Sequence, residues 1–290
     1  MKNLSILAPA KINLYLDVLN KREDGYHNIK SIMQSISLYD KVSLSVFESD
    51  FFENEIEISS NDTSVAWDES NLVYKGASLF IKSADIHNKK LVFFVEKNIP
   101  VCAGMAGGSA DVGAALILLN EAFKSCFSLS ELCALGAKIG ADVPFCITKG
   151  TCICEGIGEK ITSLPTLDGA YVVCGIGALQ KVSTPYAYKT LDEIFGTDAT
   201  DANDINEIVN AIKEKNLESV ASLLYNKFEA VATSDVDKIK SILISNGALG
   251  SLMSGSGPSV FGIFPCEEAA LNAFSALKMA NFKAFLCKTV

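Results

Sequence analysis

The sequence has few of the residues that build metal sites and disulfide frameworks. Its 290 residues include only two histidines, His27 and His87, and its nine cysteines contain no Cys-x-x-Cys pair. A zinc site with cysteine and histidine ligands therefore has little support. Several of the cysteines stand inside apolar runs, so we expect buried, reduced thiols, as in a cytosolic protein, rather than disulfides.

Long apolar runs and an excess of positive charge are also absent. No apolar segment approaches the roughly 20 residues that span a bilayer, and Pro9 and Lys11 interrupt the short apolar stretch at the N-terminus, which argues against a signal peptide. The formal net charge is −9, whereas nucleic acids and membrane surfaces are themselves negatively charged. We therefore expect a soluble, cytoplasmic protein that acts on a small molecule, with neither nucleic acid nor membrane as its partner.

The composition is that of a globular protein, with 49% hydrophobic and 20% charged residues, and the length suffices for two modest domains. Polar and apolar residues alternate strictly from residue 10 to residue 18, which predicts a half-buried strand. A polar turn at residues 21–25 and a second extended stretch at 28–38 complete a long hairpin. The polar face of the first strand carries Lys11, Asn13, Tyr15 and Asp17.

The remaining chain mixes strands with helices. Ser128 and Glu131 have the spacing of a capping box and begin a helix that Gly140 ends, and the Val143-Pro144 pair after it is interpreted as the start of a strand. The chain is therefore of the α+β class, interpreted as two lobes that meet between residues 155 and 168. Further strands are predicted at residues 42–47, 55–58, 91–95, 171–174, 247–253 and 260–264, and helices at 71–84, 110–123, 204–213, 235–245 and 267–279.

A glycine-rich segment at residues 100–109 lies between a predicted strand and a predicted helix. Its backbone N–H groups and the helix N-terminus would point into one concavity, which suits a phosphate group. The segment is not a Walker A loop, because no Gly-Lys-Ser/Thr follows, and it lacks the G-x-G-x-x-G fingerprint of dinucleotide sites. The alternative is a plain glycine-rich connection.

Two other segments are candidates for chemistry. Asp142 lies in Gly140-Ala141-Asp142-Val143-Pro144, where a fixed carboxylate can act as a general base, although an aspartate in such a place also often caps or bridges. The segment 254–259, Ser-Gly-Ser-Gly-Pro-Ser, either permits its backbone to approach a ligand or the first glycine loop closely, or forms a hairpin turn. Lys11 becomes relevant if Asp142 and the glycine loop converge on it.

Taken together, these segments resemble the GHMP kinases. The loop from Pro100 to Ala110 is similar to the family pattern Pro-x-x-x-Gly-Leu-Gly-Gly-Gly-Ser-Ser, and Gly255-Ser256-Gly257 is similar to its late glycine motif. The resemblance extends from about residue 6 to about residue 264, and Asp24-Gly25-Tyr26-His27 is its most specific part. One branch of the family is matched further by residues 8–14, 24–27, 140–144 and 155–159.

The resemblance implies a two-lobed GHMP kinase fold, with an S5-like N-terminal lobe at residues 1–160 and a ferredoxin-like C-terminal lobe at residues 161–290. It implies that ATP phosphorylates the 2-hydroxyl of 4-(cytidine 5′-diphospho)-2-C-methyl-D-erythritol, a step of the non-mevalonate route to isoprenoid precursors. Mg²⁺ would arrive with the nucleotide rather than in a dedicated protein cage. The protein would be a monomer or a weak homodimer.

The resemblance also implies roles for individual residues. Asp142 would be the general base, and Lys11 would polarise the hydroxyl or keep Asp142 ionised. Tyr26 and Tyr188 would stack on the two faces of the cytosine, and His27 would hydrogen-bond its edge. Phosphoryl transfer needs positioning and charge neutralisation above all, so this set of groups suffices.

The remaining implied contacts concern the sugar, the adenine and the phosphates. Asn13 would contact the erythritol or the ribose, Thr184 belongs to the segment that supplies Tyr188, and Asn71 would line the adenine pocket. The ATP phosphates would lie on the loop formed by Pro100, Val101, Cys102, Ala103, Gly104, Met105, Ala106, Gly107, Gly108, Ser109 and Ala110.

Two residues of the loop depart from the family pattern. Ala106 replaces a glycine and Ala110 replaces a serine. Alanine keeps its backbone N–H, so we expect phosphate binding to survive if residue 106 has a negative φ. The change at Ala110 removes a hydroxyl that the pattern would otherwise supply as a donor or Mg²⁺ contact.

Three alternatives stay open at this point. Another GHMP kinase, such as homoserine kinase or a mevalonate-pathway enzyme, shares the loop but lacks the element at residues 24–27. A regulatory module that binds a nucleotide without turnover is a second, although the combination of Lys11 and Asp142 favours catalysis. A nucleic-acid binder on an S5-like fold is the third, and the acidic net charge disfavours it.

Overall fold

The computed structural model describes residues 2–125, 127–167, 169–177, 183–198 and 204–290. In these ranges the strands are β1 (Lys2–Lys21), β2 (His27–Glu48), β3 (Glu55–Ser60), β4 (Lys89–Glu96), β5 (Thr151–Gly156), β6 (Lys160–Leu164), β7 (Tyr171–Ile176), β8 (Tyr225–Asn226), β9 (Gly250–Met253), β10 (Ser259–Phe264) and β11 (Lys283–Lys288). The helices are α1 (Leu72–Ser83), α2 (Gly107–Phe123), α3 (Leu129–Ala137), α4 (Val143–Thr148), α5 (Thr184–Phe195), α6 (Ile205–Lys213), α7 (Leu217–Ser222), α8 (Ser234–Ser245) and α9 (Glu267–Met279), with a 3₁₀ helix at Lys227–Val231.

The chain forms two compact units whose segments alternate along the sequence. The first unit consists of Met1–Ala10, Leu38–Val101 and Ala106–Thr148, and the second unit consists of Lys11–Ser37, Cys102–Met105 and Lys149–Val290. The long strands β1 and β2 therefore supply residues to both units. These units alternate along the sequence and are not defined by a single cut. The division into lobes at residue 160 stays a prediction.

The first unit packs four helices with a small sheet. Its strand β4 pairs antiparallel with Lys41–Glu48 of β2 and parallel with β3. Leu91, Phe93 and Val95 of β4 are fully buried and alternate with more exposed side chains, as strand geometry requires. Helix α1 packs against α2, and α4 packs against both α2 and α3.

The second unit contains an antiparallel sheet in the order β11-β7-β10-β9. Helices α8 and α9 pack on this sheet, and its core includes Val173, Val260, Ile239, Leu243 and Leu277, all buried. Elsewhere in the unit β5 pairs with residues 29–34 of β2 and with β6, and β8 pairs with β1 at residues 15 and 16. Burial of this apolar cluster is the main favourable term for the unit.

The prediction of a half-buried first strand is wrong, because both faces of β1 are buried. On the polar face Lys11 is only 4% exposed and Asn13 1%. Side chains from distant positions cover this face: the Tyr225 ring lies 5.4 Å from the Tyr15 ring, and Lys227 forms an ion pair with Asp17 at 3.0 Å. Because these contacts join residues more than 200 positions apart, the alternation at residues 10–18 could not reveal them.

Three predicted element boundaries also need correction. Val143 and Pro144 begin helix α4 rather than a strand; proline is tolerated there because the first N–H groups of a helix have no intrahelical acceptor. The stretches 28–38 and 42–47 belong to one strand, β2. Strand β9 begins at residue 250 rather than 247, because Asn246 ends α8 and Gly247 turns the chain at a φ of 92°.

The structure also bears on two expectations drawn from composition, namely free cysteine thiols and the lack of a membrane-spanning segment. All eight cysteines in the described ranges are free thiols, whereas Cys126 lies outside those ranges. A hydrogen bond with Cys287, together with burial, raises the pKa of the Cys174 thiol well above its usual value, which keeps it protonated and unreactive. Of the helices in the described ranges, not one is long and apolar enough to cross a membrane.

Candidate functional site

The N-terminus of α2 is the principal feature of the first unit. No side chain caps the helix there, and its first turn contains no acidic residue. The first N–H groups of an α-helix have no intrahelical acceptor, so those of Gly107, Gly108 and Ser109 are available to an anion at the positive end of the helix dipole. This end of α2 therefore has the chemistry of a phosphate cradle.

Ala106, at the N-cap of α2, has left-handed backbone angles of φ 57° and ψ 29°. The expectation that phosphate binding is protected by a negative φ at this position is therefore contradicted. The chain needs a left-handed residue to turn from the loop into α2, which is why glycine suits the position and alanine is strained there. The N–H of residue 106 is retained, but the strain is a cost of the alanine.

Short distances bring the predicted residues of the first unit together around this helix end. A Cβ atom built on Gly108 would lie 3.6 Å from Cδ1 of Leu72, the first residue of α1. A Cβ atom built on Gly140 would lie 3.8 Å from the Ser109 hydroxyl. The start of α1, next to Asn71, and the segment leading to Asp142 therefore both lie close to the first turn of α2.

Asn71 and Asp142 each precede a helix. The Asn71 side chain caps α1 by accepting from the N–H of Val73 at 2.9 Å, and its amide donates to the Ala66 carbonyl at 2.8 Å. The Asp142 carbonyl accepts from the N–H of Cys146 at 3.0 Å, and Asp142 is half-buried. Both residues thus stand immediately before helices, and the Asn71 side chain is held there by its hydrogen bonds.

A buried ionic cluster of Lys97, Asp40 and Asp111 lies next to the first turn of α2, where a Cβ atom built on Gly107 would lie 3.3 Å from the Lys97 ammonium. Lys97 forms ion pairs with Asp40 and with Asp111, the latter at 2.7 Å. The second oxygen of Asp40 accepts from the N–H groups of Asn98 and Ile99 at 2.6 and 2.8 Å. The cluster thereby connects residues 97–99, which precede the glycine loop, with Asp111 of α2, which follows the loop.

The protonation of this cluster follows from its charges. Burial raises the pKa of Asp111 to about 8, and the nearby Lys97 reduces that effect. Burial alone would lower the pKa of Lys97, but Asp111 and Asp40 outweigh it and raise the value. With Asp111 protonated the three groups are neutral together, which is the favourable state for a buried cluster of two acids and one base.

In the second unit, Lys11 and Asn13 form a connected group on β1. The Lys11 ammonium donates to Oδ1 of Asn13 at 2.6 Å, and the same oxygen accepts from the N–H of Gly255 at 2.9 Å. The Asn13 amide nitrogen donates to the Ser31 hydroxyl at 2.8 Å. Asn13 therefore positions Lys11 and the late glycine segment, a role that the sequence prediction of a sugar contact did not include.

The late glycine segment contacts the tip of the first glycine loop within the same unit. The Ser254 hydroxyl donates to the Gly104 carbonyl at 3.0 Å, and the N–H of Ser259 donates to the Ala103 carbonyl at 3.2 Å. Gly104 has a φ of 79°, and a Cβ atom there would lie 2.3 Å from the Ser254 carbonyl oxygen. Only glycine fits this approach, which accounts for the glycine in the loop.

The residues predicted to hold the cytosine form a second group in this unit. Tyr26 is 61% exposed, whereas His27 is buried, with its ring stacked on Tyr188 at 4.9 Å. The Tyr188 ring also meets the Phe228 ring edge-on at 4.9 Å. The Thr184 hydroxyl lies 3.1 Å from the Ser256 hydroxyl, which connects this group with the late glycine segment.

Asp192 completes this group and was missed from the sequence. One oxygen of Asp192 lies 2.7 Å from Nε2 of His27, and the other accepts from the Lys21 ammonium at 2.9 Å. Burial alone would raise the pKa of Asp192, but the hydrogen bonds from Lys21 and His27 lower it below its usual value. The signal available in the sequence was the i, i+4 spacing of Tyr188 and Asp192, which places both on one face of α5.

Family models match two parts of the chain. The model described as the GHMP kinases N-terminal domain matches residues 71–150, and the model described as GHMP kinases C-terminal matches residues 208–283. With these matches and the geometry of the α2 N-terminus, the chain belongs to the GHMP kinases. The family and the fold predicted from the sequence are confirmed.

Within this family, two similar curated proteins have the same name and match this chain along nearly its whole length. The 4-diphosphocytidyl-2-C-methyl-D-erythritol kinase of Clostridium tetani is 39% identical over 99% of this chain and 100% of the relative. The kinase of the same name from Acetivibrio thermocellus is 39% identical over 100% of both chains.

Solved structures give the same picture of the fold. A crystal structure of 4-(cytidine 5′-diphospho)-2C-methyl-D-erythritol kinase has a TM-score of 0.77 and 28% identity, covering 99% of both chains. Homoserine kinase from Cytophaga hutchinsonii has a TM-score of 0.78 at 18% identity, covering 100% of this chain and 95% of the other. The second similarity concerns the fold alone.

Proposed function

We propose that this chain transfers the γ-phosphoryl group of ATP to the 2-hydroxyl of 4-(cytidine 5′-diphospho)-2-C-methyl-D-erythritol, in the synthesis of isoprenoid precursors. The proposal rests on sequence identity of 39–41%, along nearly the whole chain, with relatives named 4-diphosphocytidyl-2-C-methyl-D-erythritol kinase. The element Asp24-Gly25-Tyr26-His27 supports the same acceptor.

The nucleotide phosphates are proposed to bind at the N-terminus of α2. The uncapped amides of Gly107, Gly108 and Ser109 supply donors, and Asn71 lies at the start of α1, close to this turn, where adenine is proposed to bind. When bound with the nucleotide, Mg²⁺ would supply positive charge beside the phosphates. The described ranges contain no cluster of three acidic, cysteine or histidine side chains fit to hold a metal, so Mg²⁺ is assigned to the nucleotide rather than to a protein cage.

The proton transfer is assigned to Asp142 and Lys11. Asp142, the residue before α4, is proposed to accept the proton of the attacking hydroxyl, because a positioned carboxylate can act as a general base. Lys11, buried and hydrogen-bonded to Asn13, is proposed to polarise that hydroxyl or to keep Asp142 ionised. Asn13 fixes the lysine and lies within reach of the erythritol or ribose in this assignment.

The cytidine is assigned to the group around His27. Tyr26 is exposed and free to stack on a base, His27 is proposed to read its edge, and Tyr188 is proposed as the second ring. Thr184 is the first residue of α5, the helix that also contains Tyr188. A cytoplasmic location and a monomer or weak homodimer are likewise proposed, and the acidic net charge disfavours a nucleic acid or a membrane as partner.

The direct test is ADP release with MgATP and a panel of acceptors. We expect ADP when the cytidylylated methylerythritol is supplied, and only background release with homoserine, mevalonate or no acceptor. Mass spectrometry should locate the new phosphate on the 2-hydroxyl. Turnover of homoserine or mevalonate instead would assign another GHMP kinase activity, and nucleotide binding without turnover of any acceptor would indicate a regulatory module.

A further inference from the structure

A partly exposed carboxylate and a buried histidine form a pair outside the groups assigned to phosphoryl transfer. The side chain of His27 is almost fully buried, and its Nε2 atom lies 2.7 Å from Oδ1 of Asp192. The other carboxylate oxygen of Asp192 is occupied by Lys21 at 2.9 Å. Stacking on Tyr188 fixes the plane of the imidazole. Both the position and the rotation of the His27 ring are therefore determined by its neighbours.

This arrangement also determines where the imidazole carries its proton. An ionised carboxylate only accepts hydrogen bonds, so Nε2 of His27 must donate to Asp192. In the neutral imidazole the other nitrogen, Nδ1, is then an acceptor. Nδ1 has no hydrogen-bond partner in the described part of the chain, and it is not among the polar atoms sealed from solvent. It is thus an acceptor available to a ligand.

The acceptor distinguishes the two pyrimidine bases. Cytosine presents an amino group, a donor, at position 4, whereas uracil presents a carbonyl oxygen, an acceptor, at the same place. An acceptor at Nδ1 satisfies the amino group and opposes the carbonyl. We infer that Asp192 is a positioning residue that fixes the tautomer of His27 and thereby makes the site select cytidine over uridine nucleotides. The inference rests on the proposed function for the location of the base.

Replacing Asp192 with asparagine should reverse the hydrogen-bond polarity of Nδ1. Lys21 is a donor only, so the asparagine oxygen remains on Lys21 and the amide nitrogen faces His27. Nε2 must then accept, which moves the imidazole proton to Nδ1. A donor at Nδ1 matches the carbonyl of uracil rather than the amino group of cytosine. The change is nearly isosteric, so the reversal is a test of proton position rather than of shape.

The experiment compares CDP with UDP by calorimetry, and the cytidine with the uridine form of the acceptor by kcat/KM. Wild type should favour the cytidine form by roughly tenfold or more, as expected when one partner of a hydrogen bond is mismatched. In Asp192→Asn that ratio should fall at least about tenfold, with KM for ATP unchanged. Glu193→Gln, the same change at an exposed neighbour on α5, should keep the wild-type ratio.

A measurement on the wild type needs no variant. The chain has two histidines, so nitrogen-15 NMR can assign both rings. We expect the neutral His27 ring to carry its proton at Nε2 and not at Nδ1, and CDP to shift the Nδ1 signal more than UDP does. A His27 protonated at Nδ1, or a cytidine preference that Asp192→Asn leaves intact, would overturn the inference.

Failure of the proposed function has a different signature. Wild type would then release no ADP with the cytidylylated acceptor. The binding arm still decides the role of Asp192: equal affinity of the wild type for CDP and UDP would refute it, and a cytidine preference lost in Asp192→Asn would support it.

Discussion

A single carboxylate, Asp142, is proposed to take the proton of the attacking hydroxyl. Asp142→Asn keeps the side-chain volume and the backbone hydrogen bond to Cys146, so folding and ATP affinity should persist. We expect kcat to fall by about 10²-fold or more, because a positioned base contributes roughly 10²–10⁴. Asp50→Asn makes the same change at an exposed position of the first unit and should retain full turnover. Steady-state ADP release measures both, and a kcat within a few-fold of wild type would remove Asp142 from the mechanism.

An exposed ring carries the other prediction at this scale. Tyr26 is 61% exposed, so Tyr26→Ala should leave the melting temperature unchanged. If the ring stacks on cytosine, the loss of about 1–3 kcal/mol known for base–aromatic stacking should raise KM for the acceptor and leave KM for ATP unchanged. Tyr26→Phe should be mild, because the ring makes the contact. Phe51→Ala, at a comparably exposed aromatic residue, is the control. A fall in stability with an unchanged acceptor KM would show that Tyr26 packs against the hairpin turn instead.

At the scale of elements, the loop before α2 predicts two glycine substitutions of opposite sign. Ala106 has a φ of 57°, where glycine is favoured, so Ala106→Gly should raise the free energy of unfolding by about 0.5–1 kcal/mol. Ala110 lies inside α2, so Ala110→Gly should lower it by at least a similar amount. Denaturant unfolding measures both. Destabilisation by both substitutions would mean that Ala106 is not strained.

The ionic cluster below α2 predicts how stability changes with pH. Burial raises the pKa of Asp111 from 3.8 to about 8, so between these values the folded protein binds a proton that the unfolded chain has lost. This contribution to the free energy of unfolding is full below pH 3.8 and is lost as the pH rises toward 8, with a slope of at most about 1.4 kcal/mol per pH unit.

Asp111→Asn removes this titration while keeping the shape of the side chain. Stability curves measured from pH 5 to pH 9 should therefore converge on, or cross, that of the wild type as the pH rises, with the variant relatively more stable at the alkaline end. A difference between the two proteins that stays constant over this range would mean that Asp111 does not titrate there.

For the whole molecule, local signals in the sequence were sufficient for the family and for most elements. The capping box at Ser128 and Glu131 is present in the structure, and the helices at α1, α2, α6, α8 and α9 follow from their predicted ranges within a few residues. These features depend on neighbours within one or two turns, so one sequence can report them. The kinase class followed from the glycine loop and the late glycine motif.

What the sequence could not provide depends on distant contacts or on backbone angles. The buried polar face of β1 is covered by residues near 225 and 255, and a local pattern contains no information about them. The left-handed angle of Ala106 is set by the turn into α2, and the short helix α4 has only six residues, too few for a periodic signal. The roles of Asp142, Tyr26 and His27 stay predictions.

The interleaved order of the two units has a consequence for how the gene can be divided. The second unit needs Lys11–Ser37 and Cys102–Met105 as well as everything from Lys149 onward. A cut at residue 160 would therefore separate Asn13 and His27 from their hydrogen-bond partners Gly255 and Asp192. The first gene half encodes all of the first unit, whereas the second unit is divided between the halves, so split versions of this kinase should require association of both fragments before the second unit can form.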